Sequence, residues 1–536
     1  MTGPKQRRRG PASPVLQIAI DPAAEEPLYR QVYDALRDAI LNGRLSPGAR
    51  LPSTRVLAGD FGVARNTVLQ AFEKLRREGY IVGKRGGGSR VQSKIPDALL
   101  QVRSPVCRGR VPQQPTAPAA PSGLSQRAPA GDVHAAVSKR GALLAESGRL
   151  FINSCGAVPL PFELSSAAVD AFPMRAWARI AARRWRHSEI DFADGDPAGE
   201  KPLRAAIAEY LAAARDARCS PEQVLIVNGA QQALHLLAQV LLDPGDAVWL
   251  EDPGYVGARA AFAAAGARVV PVPVDAEGLD VAAGERAAHD ARVAYVTPSH
   301  QFPLGVLMSV CRRLELLSWA RRNGAWIVED DYDSEFRYAG RPLPCLQGLD
   351  INSATPGATA RVLYVGTFSK TLVPGLRLGY MVVPDELVDT FRSARSAIDR
   401  YTPTATQRIL ADFIGEGHYT RHIREMRNLY AERQAALIDA AAVRLDGTLR
   451  IEPDPAGLHL VAWLPDGIDD AHAAELAAAQ GIRVSPLSRF RMLEPAKPAP
   501  GALVLGYAAY DQSLIRAAVD RLGDALAKAS PSHLVR

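Results

Sequence analysis

Residues 366–380 read GTFSKTLVPGLRLGY and place one amine, Lys370, just past the apolar run RVLYV of residues 361–365. A lysine screened from water at a strand end loses part of its proton affinity. A neutral amine of this kind attacks an aldehyde and forms a Schiff base. Hydroxyls flank it (Thr367, Ser369, Thr371), and Arg377 follows. Groups of matching chemistry recur at other strand ends. In WIVEDDYDSEF, Asp330 closes an apolar run, where a carboxylate is held in place to pair with a ring nitrogen. Tyr332, two residues on, faces the same side and can bond a ring hydroxyl. Asn228-Gly229-Ala230-Gln231 stands between an apolar strand and an apolar helix. The free amides and positive dipole end there suit a phosphate. Ser369 and Arg377 add a hydroxyl and a charge-assisted pair. Tyr255, in EDPGY, offers an aromatic lid on the turn after a strand.

Together these groups describe a pocket for pyridoxal phosphate, the aldehyde that proteins hold on a lysine. Singly they carry little: an S-x-K triplet is common, a strand-end Asp is usually a cap, and a Tyr after Pro-Gly is usually packing. Their joint occurrence is what points to the cofactor.

The elements that must position them alternate. VLIVNG (224–229), VAYVTPSH (293–300), AWIVEDDYD (325–333), RVLYVGTFSK and LGYMVVP (378–384) read as short apolar strands. AQQALHLLAQVLL and LELLSWARR read as helices between them. This pattern predicts an α/β body with a mainly parallel sheet covered on both faces. Residues 400–530 predict a smaller C-terminal α+β domain. No internal repeat is present.

The chain has 536 residues, 47% hydrophobic and 23% charged, which implies several domains of ordinary globular composition. No apolar run reaches the length a bilayer requires, and MTGPKQRRRG lacks the apolar stretch of a secretory signal. A cytoplasmic, nucleoid-associated protein with no membrane partner is the expectation. The five cysteines show no zinc or disulfide spacing, so reduced thiols and no metal are expected.

The net charge of +7 is uneven. Residues 1–93 hold 16 Lys/Arg against 8 Asp/Glu, and residues 94–149 hold 8 against 3, so the rest is acidic. The front therefore suits a polyanion. Residues 1–24 are predicted to form a basic disordered tail. Residues 94–149, including SPVCRGRVPQQPTAPAAPSGLSQRAPAG, form a Pro/Ala-rich linker, semi-extended because proline resists collapse. Between them, residues 25–93 are dense in helix and turn signals. An amphipathic helix spans 28–42, Ser53 or Thr54 caps a second, and FGV turns into a third with Val68, Phe72 and Leu75 on one face. The third opens with the small or polar residues Ala64-Arg65-Asn66-Thr67, suited to base edges in a major groove. YIVGKRGGGSRV then forms two short strands around a basic glycine-rich tip.

On LYRQVYDALRDAI, GRLSPGARLPSTR and VARNTV, this head resembles the GntR-family winged helix-turn-helix domain. The resemblance implies DNA contacts by Arg55, Arg65, Asn66 and Thr67, with Lys84, Arg85 and Arg90 from the wing. On Lys370, Asp330, GDPAGEKPLRAAIAEYL, TPSHQFPLG and TPTATQRILADFIGEGHYTRHIREMR, residues 150–530 resemble fold-type I PLP enzymes of the aspartate-aminotransferase superfamily. That implies Lys370 as the lysine that carries the cofactor and Asp330 on the ring nitrogen. It puts Tyr332, with His300 or Gln301, near the ring oxygen and Tyr255 stacked on the ring. Gly229, Ala230, Gln231, Ser369 and Arg377 then hold the phosphate. Head, linker and body in this order resemble the MocR-type regulators. These are homodimeric transcription factors whose promoter binding answers to PLP, alone or with an amine or amino-acid effector. An active aminotransferase with an accessory DNA-binding domain is the alternative.

Two positions depart from the aminotransferase pattern. Val504, in ALVLGYAAY, falls where an arginine grips the substrate carboxylate; Arg483, Arg489 or Arg491 serve either as substitutes or as surface charges. Asp194 falls where relatives place a tyrosine that reaches the partner's cofactor. Weak or absent transamination is the expectation.

Overall fold

A computed structural model describes residues 20–21, 26–41, 43–84, 88–92, 137–152, 160–164, 167–187, 194–339, 344–353, 359–494 and 500–529. The chain divides into two compact units, one up to Gln126 and one from Arg127 onward.

The first unit is the head. Helix α1 (Leu28–Leu41) buries Val32, Leu36, Ala39 and Ile40 on one stripe. Helix α2 (Thr54–Asp60) starts at Ser53, whose hydroxyl accepts from the Val56 amide at 3.3 Å. Helix α3 (Arg65–Arg77) buries Val68, Ala71, Phe72 and Leu75 against α1 and α2. Strands β1 (Ile81–Lys84) and β2 (Gly88–Val91) pair antiparallel as the wing, sealing the core with Ile81 and Val91. Four buried positions on α3 at helical spacing fix which side of that helix is left outward.

The expected tail, residues 1–24, falls outside the described residues except for Ile20 and Asp21, and these two are docked rather than loose. Ile20 packs on the head core, and the Gln31 carboxamide clasps both backbone groups of Asp21 at 3.0 Å.

The linker is shorter than expected. Residues 139–149, assigned to it, belong to helix α4 (Lys139–Ile152), which packs against a body helix. The physical reason is local: proline stops at Pro129, and KRGALLAESGRLFI is free to form a helix.

The body holds helices α5 (Met174–His187) and α6 (Lys201–Arg215) and an eight-stranded sheet. In chain order its elements are β3 (Val224–Val227), α7 (Ala230–Leu241), β4 (Ala247–Asp252), α8 (Val256–Ala264), β5 (Arg268–Asp275) and β6 (Gly278–Leu279). Then come β7 (Val293–Val296), β8 (Trp326–Asp331), β9 (Val362–Thr367) and β10 (Gly379–Val382). The spatial order is β3-β10-β9-β8-β7-β4-β5-β6. The run from β9 through β5 is parallel; β10 is antiparallel to both neighbours, and β6 to β5. β3, β4, β7, β9 and β10 are buried at every residue, as a sheet covered on both faces requires. The carboxyl ends of β4, β7, β8 and β9 open on one edge, the usual ligand side of such sheets. A smaller four-stranded antiparallel sheet, β11 (Arg450–Ile451), β12 (His459–Trp463), β13 (Ser485–Pro486) and β14 (Ala502–Gly506), has the order β11-β12-β14-β13. Long helices, His418–Arg444 and Gln512–Ala529, cover it, and its core is continuous with one face of the large sheet. Among the described residues, no helix is long and apolar enough to cross a membrane.

Candidate cofactor pocket and nucleic-acid interface

A cavity of about 450 Å³ lies at the strand ends. Its lining includes Gly229, Ala230, Gln231, Tyr255, Asp330, Tyr332, Ser369, Lys370 and Arg377. Nine of the ten expected cofactor residues thus meet in one place, although they span nearly 150 positions of sequence.

Lys370 sits on a single helical turn, Phe368–Thr371, that continues β9. Thr367 caps that turn, its hydroxyl accepting from the Ser369 amide at 3.2 Å. Burial pulls the Lys370 amine down to about 8, with Asp333 and Asp330 resisting. A fraction of the amine is therefore unprotonated near neutrality, the form that attacks carbonyl carbon.

Asp330, at the end of β8, is buried, and burial raises its carboxyl to about 7. Tyr295 on β7 donates to its Oδ2 at 2.8 Å, while Oδ1 is buried with no hydrogen-bond partner. A buried acceptor left over is costly unless something donates to it. A protonated ring nitrogen is such a donor, and its positive charge would draw the carboxyl back to the ionised form.

The other end of the cavity is built for an anion. Gly229 precedes α7 with φ of 97°, a conformation that L side chains rarely adopt. Gly379 on β10 packs on it so closely that a Cβ at 379 would lie 2.9 Å from the Gly229 Cα. The Arg377 guanidinium approaches within 3.8–3.9 Å of where a Gly229 Cβ would stand. Backbone amides, helix dipole and guanidinium therefore converge where a phosphate fits. Tyr255 precedes α8; its hydroxyl donates to Gln231 at 3.3 Å, and its ring meets Phe302 edge-on at 5.9 Å. The residues fit pyridoxal phosphate from nitrogen to phosphate.

His300 is the exception among the expected cofactor residues. It does not line the cavity but stands behind Tyr332, whose hydroxyl lies 3.0 Å from its Nδ1. Nδ1 is also 2.9 Å from Asp333, and Nε2 is 3.2 Å from Asp454. Burial alone would lower this imidazole, but the two carboxylates raise it to about 10. Both ring nitrogens thus donate to carboxylates, so within the close trio His300, Asp333 and His459 the first two read as an ion pair rather than as metal ligands. Gln301 is buried away from the cavity, donating to Glu251 and to the Pro253 and Phe302 carbonyls.

Sequence reasoning missed Tyr295, Thr297, Phe302, Thr367, Leu458 and His459 in the lining. Tyr295 and Thr297 lie on and just past β7, which adjoins β8, so their ends share an edge with Asp330. His459 and Leu458 come from β12 and the residue before it, which no local pattern links to the large sheet.

Val504 is buried in an apolar cluster with Val256, Leu487, Phe490 and Ala502. Arg483 pairs with Glu163 at 3.0 Å, and neither Arg489 nor Arg491 lines the cavity. Asp194 is exposed and accepts from the Tyr401 hydroxyl at 2.8 Å.

On the head, Arg55, Arg65 and Asn66 are exposed, and Thr67 is half-buried. Arg65 and Asn66 open α3 at its exposed first turn and take no part in the buried stripe of Val68, Ala71, Phe72 and Leu75. Arg90 is exposed on β2 and donates to the Gly48 carbonyl at 3.1 Å. Arg85 and the Lys84 side chain lie outside the described residues.

Residues 28–91 match the family of bacterial regulatory proteins, gntR family, and residues 161–522 match aminotransferase class I and II. The chain is 40% identical, over 95% of both lengths, to the probable rhizopine catabolism regulatory protein MocR of Rhizobium meliloti. It is 29% identical to the HTH-type pyridoxine biosynthesis transcriptional regulator PdxR of Corynebacterium glutamicum, over 95% of this chain and 98% of that one. A solved structure, the α-aminoadipate aminotransferase LysN of Thermus thermophilus complexed with N-(5'-phosphopyridoxyl)-L-leucine, matches with a TM-score of 0.66. It is 30% identical and covers 75% of this chain and 100% of that one.

Proposed function

The chain belongs to the MocR-type regulators, a GntR head followed by an aminotransferase class I and II domain, and from that premise we propose that it is a PLP-dependent, DNA-binding transcriptional regulator. The observation that carries the cofactor half is the half-satisfied Asp330 carboxylate beside the Lys370 amine, in one cavity with the α7 N-terminus. Bound there, pyridoxal phosphate supplies an aldehyde open to a lysine or to an incoming primary amine. Lys370 holds it, Asp330 and Tyr332 orient its ring, Tyr255 covers it, and Gly229, Ala230, Gln231, Ser369 and Arg377 hold its phosphate. On the head, Arg65, Asn66 and Thr67 enter the major groove, Arg55 and Arg90 add contacts, and Lys84 and Arg85 extend the wing. The protein acts as a cytoplasmic homodimer on promoter DNA, since helix-turn-helix heads read paired half-sites. An effector that prefers one shape of the body shifts the DNA-binding population by its difference in affinity.

The competing reading is a working aminotransferase with an accessory head. Val504, apolar where a carboxylate grip belongs, speaks against it. The deciding experiment is a gel-shift titration of the promoter with the protein loaded or stripped of cofactor, paired with an assay for keto-acid release. Promoter binding that changes on loading supports the regulator. Turnover of several per second, a typical enzyme rate, without promoter binding would reverse the assignment.

A further inference from the structure

Building on the cofactor-bound reading above, we propose that the effector is a primary amine with an uncharged body and no carboxylate on the amine-bearing carbon. The described lining of the cavity contains three charged side chains: Lys370, Asp330 and Arg377. Each is committed. Lys370 and Asp330 belong to the reactive end, and Arg377 stands over Gly229 at the anion end. The remaining wall includes Leu164, Phe302, Pro374, Leu458 and His459.

His459 is the one group there that could acquire positive charge, and its surroundings forbid it. Nε2 lies 3.0 Å from the Pro303 carbonyl, so that nitrogen carries the hydrogen and Nδ1 keeps the lone pair. Burial and the adjacent charged His300 press the ring down to about 3. His459 therefore lines the cavity as a neutral imidazole.

The floor behind this wall is apolar as well. Val504 on β14 is fully buried with Val256, Phe490 and Ala502, and Phe302 and Leu164 pack on that same cluster. The nearby Arg483 is held by Glu163. A carboxylate brought here would give up its water against leucine and phenylalanine with no uncommitted cation among the described lining residues to meet it, which is strongly unfavourable. An amine with an apolar body gives up no such hydration. The walls thus discriminate by what they withhold, a form of specificity that works against one ligand class.

The test is a spectral titration of the full-length protein loaded with pyridoxal phosphate. The probes are matched pairs that differ by one carboxylate: isopentylamine and leucine, tyramine and tyrosine, ethylamine and alanine. Each amine is expected to perturb the cofactor absorbance at a concentration at least about ten-fold below its amino acid, the scale of an unpaired buried group. A normal cofactor band that answers first to the amino acids, or to neither class, overturns the proposal alone. Loading that yields no band, with nothing trapped by borohydride, overturns the cofactor reading and this proposal with it.

Discussion

The Tyr295 hydroxyl donates to Oδ2 of Asp330 across 2.8 Å, while Oδ1 of that carboxylate is buried without a partner. One strand thus fixes the orientation of its neighbour's carboxylate and leaves a single acceptor for a ring nitrogen. Asp330→Asn removes the charge and keeps the shape. Cofactor affinity is expected to fall by about 2 kcal/mol, the worth of a hydrogen bond to a charged group. Equilibrium titration of the stripped protein checks it; unchanged affinity would remove Asp330 from the ring.

Lys370→Ala should abolish the cofactor absorbance band and borohydride trapping. The amine lines an open cavity and supports no core cluster, so the melting temperature should change little. A band that survives would mean that another lysine carries the aldehyde.

Arg65→Ala should weaken operator binding by about 1–3 kcal/mol if the side chain reads a base. Arg65 is exposed at the start of α3 and contributes nothing to the head core, so loss of binding would come without loss of fold. A gel-shift isotherm superimposable on the parent's would take Arg65 out of the interface.

His300→Gln tests the ion-pair cluster behind Tyr332. The His300 pKa rises from 6.5 to about 10 on folding, because Asp333 and Asp454 outweigh burial. A raised pKa stabilises the folded state fully below pH 6.5, and that contribution is lost as pH climbs through 10. Removing one partner of a buried pair costs about 3 kcal/mol or more. Glu251 and Asp330, raised to about 7 by burial, penalise both proteins alike as they ionise, so the informative quantity is the difference. The gap in denaturation midpoint should be widest near pH 6 and close toward pH 10. A gap independent of pH would mean that His300 is neutral in the fold.

The head was legible almost residue by residue. Its core positions on α3 recur at helical spacing, and its cap and turn lie within a few residues of the helices they bound. The linker's end was not legible. Leu143 and Leu144 are exposed on α4, so the helix announces itself by packing against α8 rather than by an apolar stripe of its own. In the body, Lys370, Asp330 and Gly229, which line one cavity, were legible as candidates because each sits where a strand stops, a boundary written locally in residue type. His300 was misplaced by one layer, because a position in the chain does not say whether a side chain points into a cavity or behind its wall.

The sequence by itself determined the order of domains, the alternation of strands and helices, the basic front and the residue types able to hold a phosphorylated aldehyde. All of these follow from short-range chemistry: hydrophobic period, glycine and proline placement, and charge. Only the tertiary structure decided that Tyr295 would satisfy half of Asp330, that Asp454 would charge His300 from across the body, and that His459 and Leu458 would wall the cavity opposite no spare cation among the described residues. Those relationships join residues from 35 to more than 150 positions apart. Long-range pairing is set by how the two sheets pack, and no periodicity along the chain encodes it.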